Sequence, residues 1–368
     1  MKFSLRRFLL LQTSLGLLTM LVACSSLTTP PPSSVPSSTA SDATEAVALT
    51  TSPQPGTVFA NPVLKENFAD PFILREGDTY YVYTTNSSGK NISLARSTNL
   101  IKWQIMGDAM PALPKWAKLT GGLVWAPEVI KIGDQYLMYY TARDKESDKQ
   151  CVGVAVSDKP EGKFKDTNDK PFVCQSNLGG TIDASPFRDE DGKLYLYYKN
   201  DGNCCSMATY IYVQEMSSDG LSLLGEPTQL IRNDKQWEAH VIEAPTMFKH
   251  DGKYYLFYSA NNYGGHEYAV GYAVCETAMG PCEKASENPI LASDLSKKES
   301  LVIGPGHQTL LQVGEQTWII YHAWEVVSGS RRGDRRFMWL DRLDWVDGKP
   351  VVKGPTIESQ PAPQLPIP

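Results

Sequence analysis

One stretch of this sequence recurs five times, and that recurrence limits the possible fold more than any other feature. Asp70-Pro71-Phe72-Ile73 leads into Tyr80-Tyr81-Val82-Tyr83, and Ala126-Pro127-Glu128-Val129-Ile130 into Tyr136-Leu137-Met138-Tyr139-Tyr140. Asp183-Ala184-Ser185-Pro186-Phe187 leads into Leu194-Tyr195-Leu196-Tyr197-Tyr198, and Glu243-Ala244-Pro245-Thr246-Met247-Phe248 into Tyr254-Tyr255-Leu256-Phe257-Tyr258. The last copy is Gly306-His307-Gln308-Thr309-Leu310-Leu311, followed by Trp318-Ile319-Ile320-Tyr321-His322. Each copy opens on a polar or ionisable residue, passes a short apolar run, turns at Gly and enters an aromatic segment. The openings at 70, 128, 183, 243 and 307 stand 58, 55, 60 and 64 residues apart. A period of this length holding several strands is the mark of an all-β protein, a five-bladed β-propeller.

Local chemistry agrees. Tyr, Val, Ile, Leu and Trp crowd the repeated segments and suit a pleated surface. Between them stand Gly77-Asp78, Gly133-Asp134, Asp191-Gly192, Asp251-Gly252 and Gly314-Glu315, the chemistry of tight hairpins. In a propeller the innermost strand of every blade lines a central channel. Repeats opening on Asp70, Glu128, Asp183, Glu243 and His307 would therefore gather four carboxyls and an imidazole near one end of it. Carboxyls so placed cannot all titrate alike, since like charge and burial raise some pKa values and hydrogen bonds lower others. Separated pKa values are what a general acid and a general base need in one pocket.

The chain of 368 residues has a formal net charge of −6 with both signs dispersed, so no basic stripe points to nucleic acid. The run Arg331-Arg332-Gly333-Asp334-Arg335-Arg336 reads as a loop with one or two substrate-facing arginines. Lys2, Arg6 and Arg7 precede an apolar stretch from Phe8 to Val22, a secretory signal rather than a structural helix. It ends in Leu21-Val22-Ala23-Cys24, similar to a bacterial lipobox, so residues 1–24 read as a lipoprotein signal with Cys24 as the lipidated residue. Residues 25–58 are rich in Ser, Thr and Pro and read as a disordered tether. Residues 59–368 then read as the five-bladed β-propeller domain, expected to be held outside the cytoplasm at a bacterial membrane only through its lipid.

Without Cys24 six cysteines remain, an even number suited to an oxidising compartment. Cys275 and Cys282 could clip a hairpin, and Cys151 and Cys174 could pair across a blade. Cys204-Cys205 allows a vicinal disulfide or pairings elsewhere. No C-x-x-C pair occurs and the five histidines are scattered, which speaks against a cysteine-built metal centre.

The motifs, taken in order, resemble glycoside hydrolase family 43. Ala69-Asp70-Pro71-Phe72, Trp125-Ala126-Pro127-Glu128, Ile182-Asp183-Ala184-Ser185-Pro186 and Ile242-Glu243-Ala244-Pro245 look like its successive signatures. Gly304-Pro305-Gly306-His307 is similar to its glycine–histidine element, and Arg336-Phe337-Met338 with Leu343-Asp344-Trp345 resembles its closing blade. The similarity covers roughly residues 59 to 358.

This resemblance implies an inverting hydrolase that removes arabinofuranose or xylose from plant polysaccharides. It assigns Asp70 as general base, Glu243 as general acid, and Asp183 as the residue that orients the acid and raises its pKa. An inverting mechanism needs the two working carboxyls roughly 6.5–9.5 Å apart, with water between them. Trp125 is expected to stack on a sugar ring, with Phe72, Glu128, His307 and Arg336 as further substrate contacts. The matching histidine of some relatives helps hold calcium, so His307 is also a candidate metal residue, although no cofactor is required. Calcium favours oxygen ligands and water. The chain stops soon after Gly354-Pro355 without a further β-sandwich, which leans the reading towards an exo-acting, arabinan-active enzyme, with β-xylosidase and endo-1,5-α-L-arabinanase as alternatives. Retaining fructan hydrolases fit less well because of the Asp183-Ala184-Ser185-Pro186-Phe187 and Glu243-Ala244-Pro245 segments, and a non-catalytic carbohydrate-binding propeller or an interaction propeller because all three acids are present.

Overall fold

The aromatic segments alternate in the way that puts successive side chains on opposite faces of a strand. Tyr81 and Tyr83 enter one apolar cluster while Tyr80 and Val82 enter another. Tyr136, Met138 and Tyr140 likewise point one way, and Leu137 and Tyr139 the other. Such a strand is buried on both faces and so cements two neighbours. Burying each large side chain is worth roughly 1.5–3 kcal/mol.

The computed structural model describes residues 56–119, 123–295, 302–328 and 331–365. The expected signal and lipobox at 1–24 lie outside these residues, as does the expected tether up to residue 55. A short strand β1 (Val58–Phe59) precedes five antiparallel sheets, each wound up and down in chain order. Blade 1 comprises β2 (Phe72–Glu76), β3 (Thr79–Thr84), β4 (Ser93–Ser97) and β5 (Gln104–Asp108). Blade 2 comprises β6 (Trp125–Ile132), β7 (Gln135–Arg143) and β8 (Gln150–Ser157), with irregular chain bridging Val152 to Val173 and Val156 to Lys165 along its outer edge. Blade 3 holds β9 (Thr181–Arg188), β10 (Leu194–Asn200), β11 (Tyr210–Met216) and β12 (Leu223–Arg232). Blade 4 holds β13 (Ile242–His250), β14 (Lys253–Ala260), β15 (Ala269–Cys275) and β16 (Cys282–Lys284). Blade 5 holds β17 (Ile303–Val313), β18 (Gln316–Ser328), β19 (Arg331–Val346) and β20 (Lys349–Val352), and β21 (Gln360–Pro361) returns to pair with β1.

The first strands of the blades touch in a closed ring, β2 to β6, β9, β13, β17 and back to β2. Five apolar clusters occupy the five seams between adjacent blades. The chain is therefore a five-bladed β-propeller. A second device recurs at four seams: Tyr83, Tyr139, Tyr197 and Tyr255 each donate a hydroxyl to a carbonyl of the next blade's outer region, at Pro160, Gly220, Ala278 and Gly348. The hairpin turns are made where expected, with Gly77 at φ 59° and Gly133 at φ 58°.

The seam between blades 5 and 1 joins the two ends of the described chain. Buried Asn61 donates to the carbonyls of Leu340 (2.9 Å) and Thr356 (3.0 Å) and accepts from the Leu340 amide (2.9 Å). Thr57 and Val58 already belong to this closure, since the Ala362 amide donates to the Thr57 carbonyl. The arginine run corrects its expected loop: Arg331–Arg336 lies in β19, paired to β18, with the Arg332 guanidinium 4.1 Å from the Trp324 ring centre. The disulfides are Cys151–Cys174, Cys275–Cys282 and the vicinal Cys204–Cys205.

Candidate active site

Every inner strand is entered through a non-glycine residue in the left-handed region: Asp70 (φ 56°), Ala126 (43°), Asp183 (55°), Ala244 (53°) and His307 (53°). In blades 2 to 5 the register with the second strand slips at this point. Such bulges re-aim side chains beside active sites, and backbone of this kind costs about 1–3 kcal/mol per residue. These five residues are the true structural equivalents. Glu128 stands two residues beyond its blade's kink and Glu243 one residue before, so the repeat openings read from the sequence are not all in phase.

The phase decides which expected residues meet. Asp70, Trp125, Asp183, Glu243, His307 and Arg336 line one cavity of about 300 Å³ at the end of the channel. Phe72 and Glu128 are not among its lining residues. Phe72 packs against the apolar cluster between blades 1 and 2. Glu128 is buried, is hydrogen-bonded to Ser185 of blade 3, and has its carboxyl pushed well above the usual range, by burial first and then by the charge of Asp183. Thr309, at the same place in blade 5, donates to the Pro71 carbonyl at 2.9 Å. The layer below the kinks thus links blades.

Around Asp70 the donors converge. Arg336 Nη1 donates to Oδ1 at 2.8 Å, His307 Nδ1 lies 3.4 Å from the same oxygen, and the Thr85 hydroxyl bonds Oδ2. Thr85 in turn accepts from the Ala126 amide at 3.0 Å, tying blade 1 to blade 2. His322 Nδ1 accepts from the Asp70 amide at 3.2 Å. Burial works to raise the Asp70 pKa, but Arg336, then His307 and His322, outweigh it and hold the carboxyl well below the ordinary value. His322 is itself lowered to about 4, by burial and then by Arg336, so it stands neutral.

Around Glu243 the neighbours are mostly acidic. Glu243 shares its surroundings with Asp183 and Asp201, and the nearby cation is buried Lys199, whose Nζ is 3.4 Å from Oε2. The Tyr268 hydroxyl donates to Oε1 at 2.7 Å. Asp183 Oδ2 accepts from the amide of Ala244, the residue after Glu243, at 2.9 Å, and so fixes the backbone that carries it. Asp183 is raised to about 6, by burial first and with Glu243 adding to it against His307. Asp201 is also raised to about 6, by burial first and with Asp183 and Glu243 adding to it against Lys199. Interacting carboxyls of this kind titrate as a unit.

Tyr268 couples the two sides. Its hydroxyl is on Glu243 while its ring lies parallel to His322, centres 5.9 Å apart. Gly306 makes room for it, since a Cβ there would come within 2.1 Å of the Tyr268 ring. Tyr268, Lys199, Asp201, Asn203, Tyr263, Thr85 and His322 open no repeat, and nothing in the sequence marked them.

The calcium expectation meets a poor donor set. Among the described residues no three His, Cys, Asp or Glu side chains are grouped to hold an ion. His307 Nδ1 faces Asp70, whose oxygens are engaged by Arg336 and Thr85. These residues do not compose the oxygen cage that calcium favours.

Comparison with known proteins places this geometry in context. The chain is 26% identical over 316 residues to the β-D-galactofuranosidase xynD of Aspergillus niger, covering 81% of this chain and 84% of that protein. It is 28% identical over 277 residues to the extracellular endo-α-(1→5)-L-arabinanase 2 of Bacillus subtilis, covering 64% of this chain but only 54% of the relative's length. The crystal structure of a thermostable family-43 glycoside hydrolase superposes with a TM-score of 0.73 at 35% identity, over 83% of this chain and 99% of that one. Residues 59–350 match the model of glycosyl hydrolases family 43, and the chain belongs to that family.

Proposed function

We propose that this protein is an inverting glycosidase that releases pentose, foremost α-L-arabinofuranose, from plant cell-wall arabinan or arabinoxylan. Family membership makes it a hydrolase of O-glycosyl bonds. The observation that carries the finer reading is that Asp70, Asp183 and Glu243 reach one cavity from three different blades. In this reading Glu243 protonates the departing glycosidic oxygen. Asp70, kept ionised by Arg336 and its neighbours, takes a proton from the water that attacks the opposite face of the sugar. Asp183 positions Glu243 through the Ala244 amide and, by its own charge, favours retention of the proton in the pair. Trp125 offers an aromatic face to the sugar ring. A cavity of about 300 Å³ is at the small end for ligand sites and suits a terminal residue.

Endo-arabinanase action is the second reading, supported by the similarity to the Bacillus protein. Hydrolysis of arabinobiose, xylobiose and linear arabinan side by side, with proton NMR of the first-formed anomer, tests both. Release of single α-L-arabinose units with inverted anomeric configuration is expected. Retained configuration would overturn the mechanism, longer fragments from arabinan would select the second reading, and cleavage of xylobiose alone would replace arabinose by xylose. Glu243→Gln should abolish cleavage of arabinobiose yet spare an aryl glycoside with a strongly acidic phenol, which leaves without protonation. The lipobox supports a further proposal, that Cys24 anchors the enzyme outside a bacterial membrane. Palmitate labelling that persists in Cys24→Ala would refute it.

A further inference from the structure

The wall of the cavity beside Glu243 is a turn unlike the others among the described residues. Asp201 enters a short 3-10 turn, Gly202–Cys205, in which the adjacent Cys204 and Cys205 are joined. Cys204, Asn203 and Asp201 face the cavity. The turn is clamped from outside. The Cys204 amide donates to the Asp201 carbonyl (3.2 Å), Met207 donates to the Gly202 carbonyl (2.9 Å), and Asn200 Nδ2 donates to the carbonyls of Leu178 (3.1 Å) and Ala208 (3.0 Å). A Cβ on Gly202 would come within 2.4 Å of the Ala208 carbonyl oxygen, and one on Gly179 within 2.3 Å of that of Asp201. The vicinal disulfide closes a small ring that includes a peptide bond, removing freedom from the two residues that follow Asn203.

This rigidity has one evident beneficiary. Asn203 Oδ1 accepts from Lys199 Nζ at 2.7 Å, whereas the same ammonium lies 3.4 Å from Glu243 Oε2. Lys199 is fully buried, so water does not compete for it. We propose that the Cys204–Cys205 turn is a positioning element for the acid: it fixes Asn203, and Asn203 draws the Lys199 ammonium away from Glu243. An ammonium allowed to close on Glu243 would favour the carboxylate and strip the site of its transferable proton. The other groups facing Glu243 are Asp183 from β9, Asp201 from the turn and the Tyr268 hydroxyl, with His307, Asp70 and Arg336 across the cavity. None of them occupies the space between Lys199 and Asn203. The inference rests on the reading of Glu243 as the acid.

The test is the pH dependence of kcat/KM on arabinobiose, or on xylobiose if that is the sugar cleaved, for Asn203→Ala and for the double variant Cys204→Ser/Cys205→Ser. Activity needs the proton, so the limb concerned is the one lost on raising the pH. In both variants it should move to lower pH by about half a unit or more, while Asn203→Asp, which holds the ammonium harder, should move it the other way. A rise in KM with an unmoved limb would mean that the turn only touches the sugar, and would overturn the proposal. So would a uniform loss of kcat with an unmoved limb. If the serine pair fails to fold, the asparagine variants decide alone. Glu243→Gln run in parallel separates the two failures: full activity there sinks the assignment of the acid, while inactivity there with unmoved limbs in the asparagine variants sinks this proposal only.

Discussion

The two faces of the cavity are built from the same kind of residue and arranged for opposite ends. On the Asp70 side one carboxyl is ringed by a guanidinium, two imidazoles and a hydroxyl. On the Glu243 side three carboxyls crowd around one ammonium. Both are buried, and burial alone would push every carboxyl in either group towards the protonated form. The difference lies in what accompanies the burial. The Arg336 guanidinium, with the imidazoles beside it, overrides it at Asp70, whereas neighbouring carboxyls reinforce it at Asp183 and Asp201. Identical chemistry is thus divided into an ionised half and a proton-retaining half within one small space.

The largest break in this contrast is Asp70→Asn. It should lower kcat/KM about 10²–10⁴-fold for activated and ordinary glycosides alike, because the water loses its base whatever the leaving group. Stopped or coupled sugar-release assays on both substrates check it. Next comes Arg336→Met. With the guanidinium gone, burial at Asp70 is less opposed and its pKa rises, so the limb lost on lowering the pH should move to higher pH, with a fall of up to about 10²-fold in activity. On the other face, Asp183→Asn removes a negative neighbour from Glu243. The limb lost on raising the pH should move down by about one unit, roughly tenfold in rate above it. An unmoved limb would show that Asp183 acts through the Ala244 amide alone.

Two smaller effects lie outside the cavity. Asn61→Ala should lower stability by about 1–3 kcal/mol, seen in urea unfolding, without altering the pH profile, because it opens only the seam between blades 5 and 1. Glu128→Gln should change neither kcat/KM nor the melting midpoint. Burial already pushes its carboxyl well above the usual range, and an amide of the same shape keeps a partner in Ser185. A marked loss of activity in Glu128→Gln would show that the layer below the kinks takes part in the reaction after all.

The fold was legible because a strand buried on both faces writes itself as an unbroken aromatic run, and five such runs at a steady spacing leave few architectures. Asp70, Asp183 and Glu243 were legible as motifs. That Glu128 and Phe72 stand away from the cavity lining was not legible, because letters alone do not reveal where each strand kinks, and a shift of one or two residues moves a side chain from the cavity to the seam. The partners that set the charge balance were illegible for another reason. Lys199 and His322 sit in second strands, Tyr268 precedes a third, and Asn203 lies in a turn, so they meet the acids only once the ring is closed. Adjacent cysteines 204 and 205 left several pairings open, and which one forms depends on how tightly the turn is packed.

The left-handed entry to each inner strand carries a consequence for how such a ring changes over time. Two of the five entries are alanines, and Ala126 borders the cavity. Alanine is a poor choice for that backbone conformation, which asparagine and aspartate adopt more readily. An asparagine at 126 would therefore ease the main chain at the border of the cavity. The Ala126 amide also holds the Thr85 hydroxyl that reaches Asp70, so any easing of the main chain there is felt at that carboxylate as well.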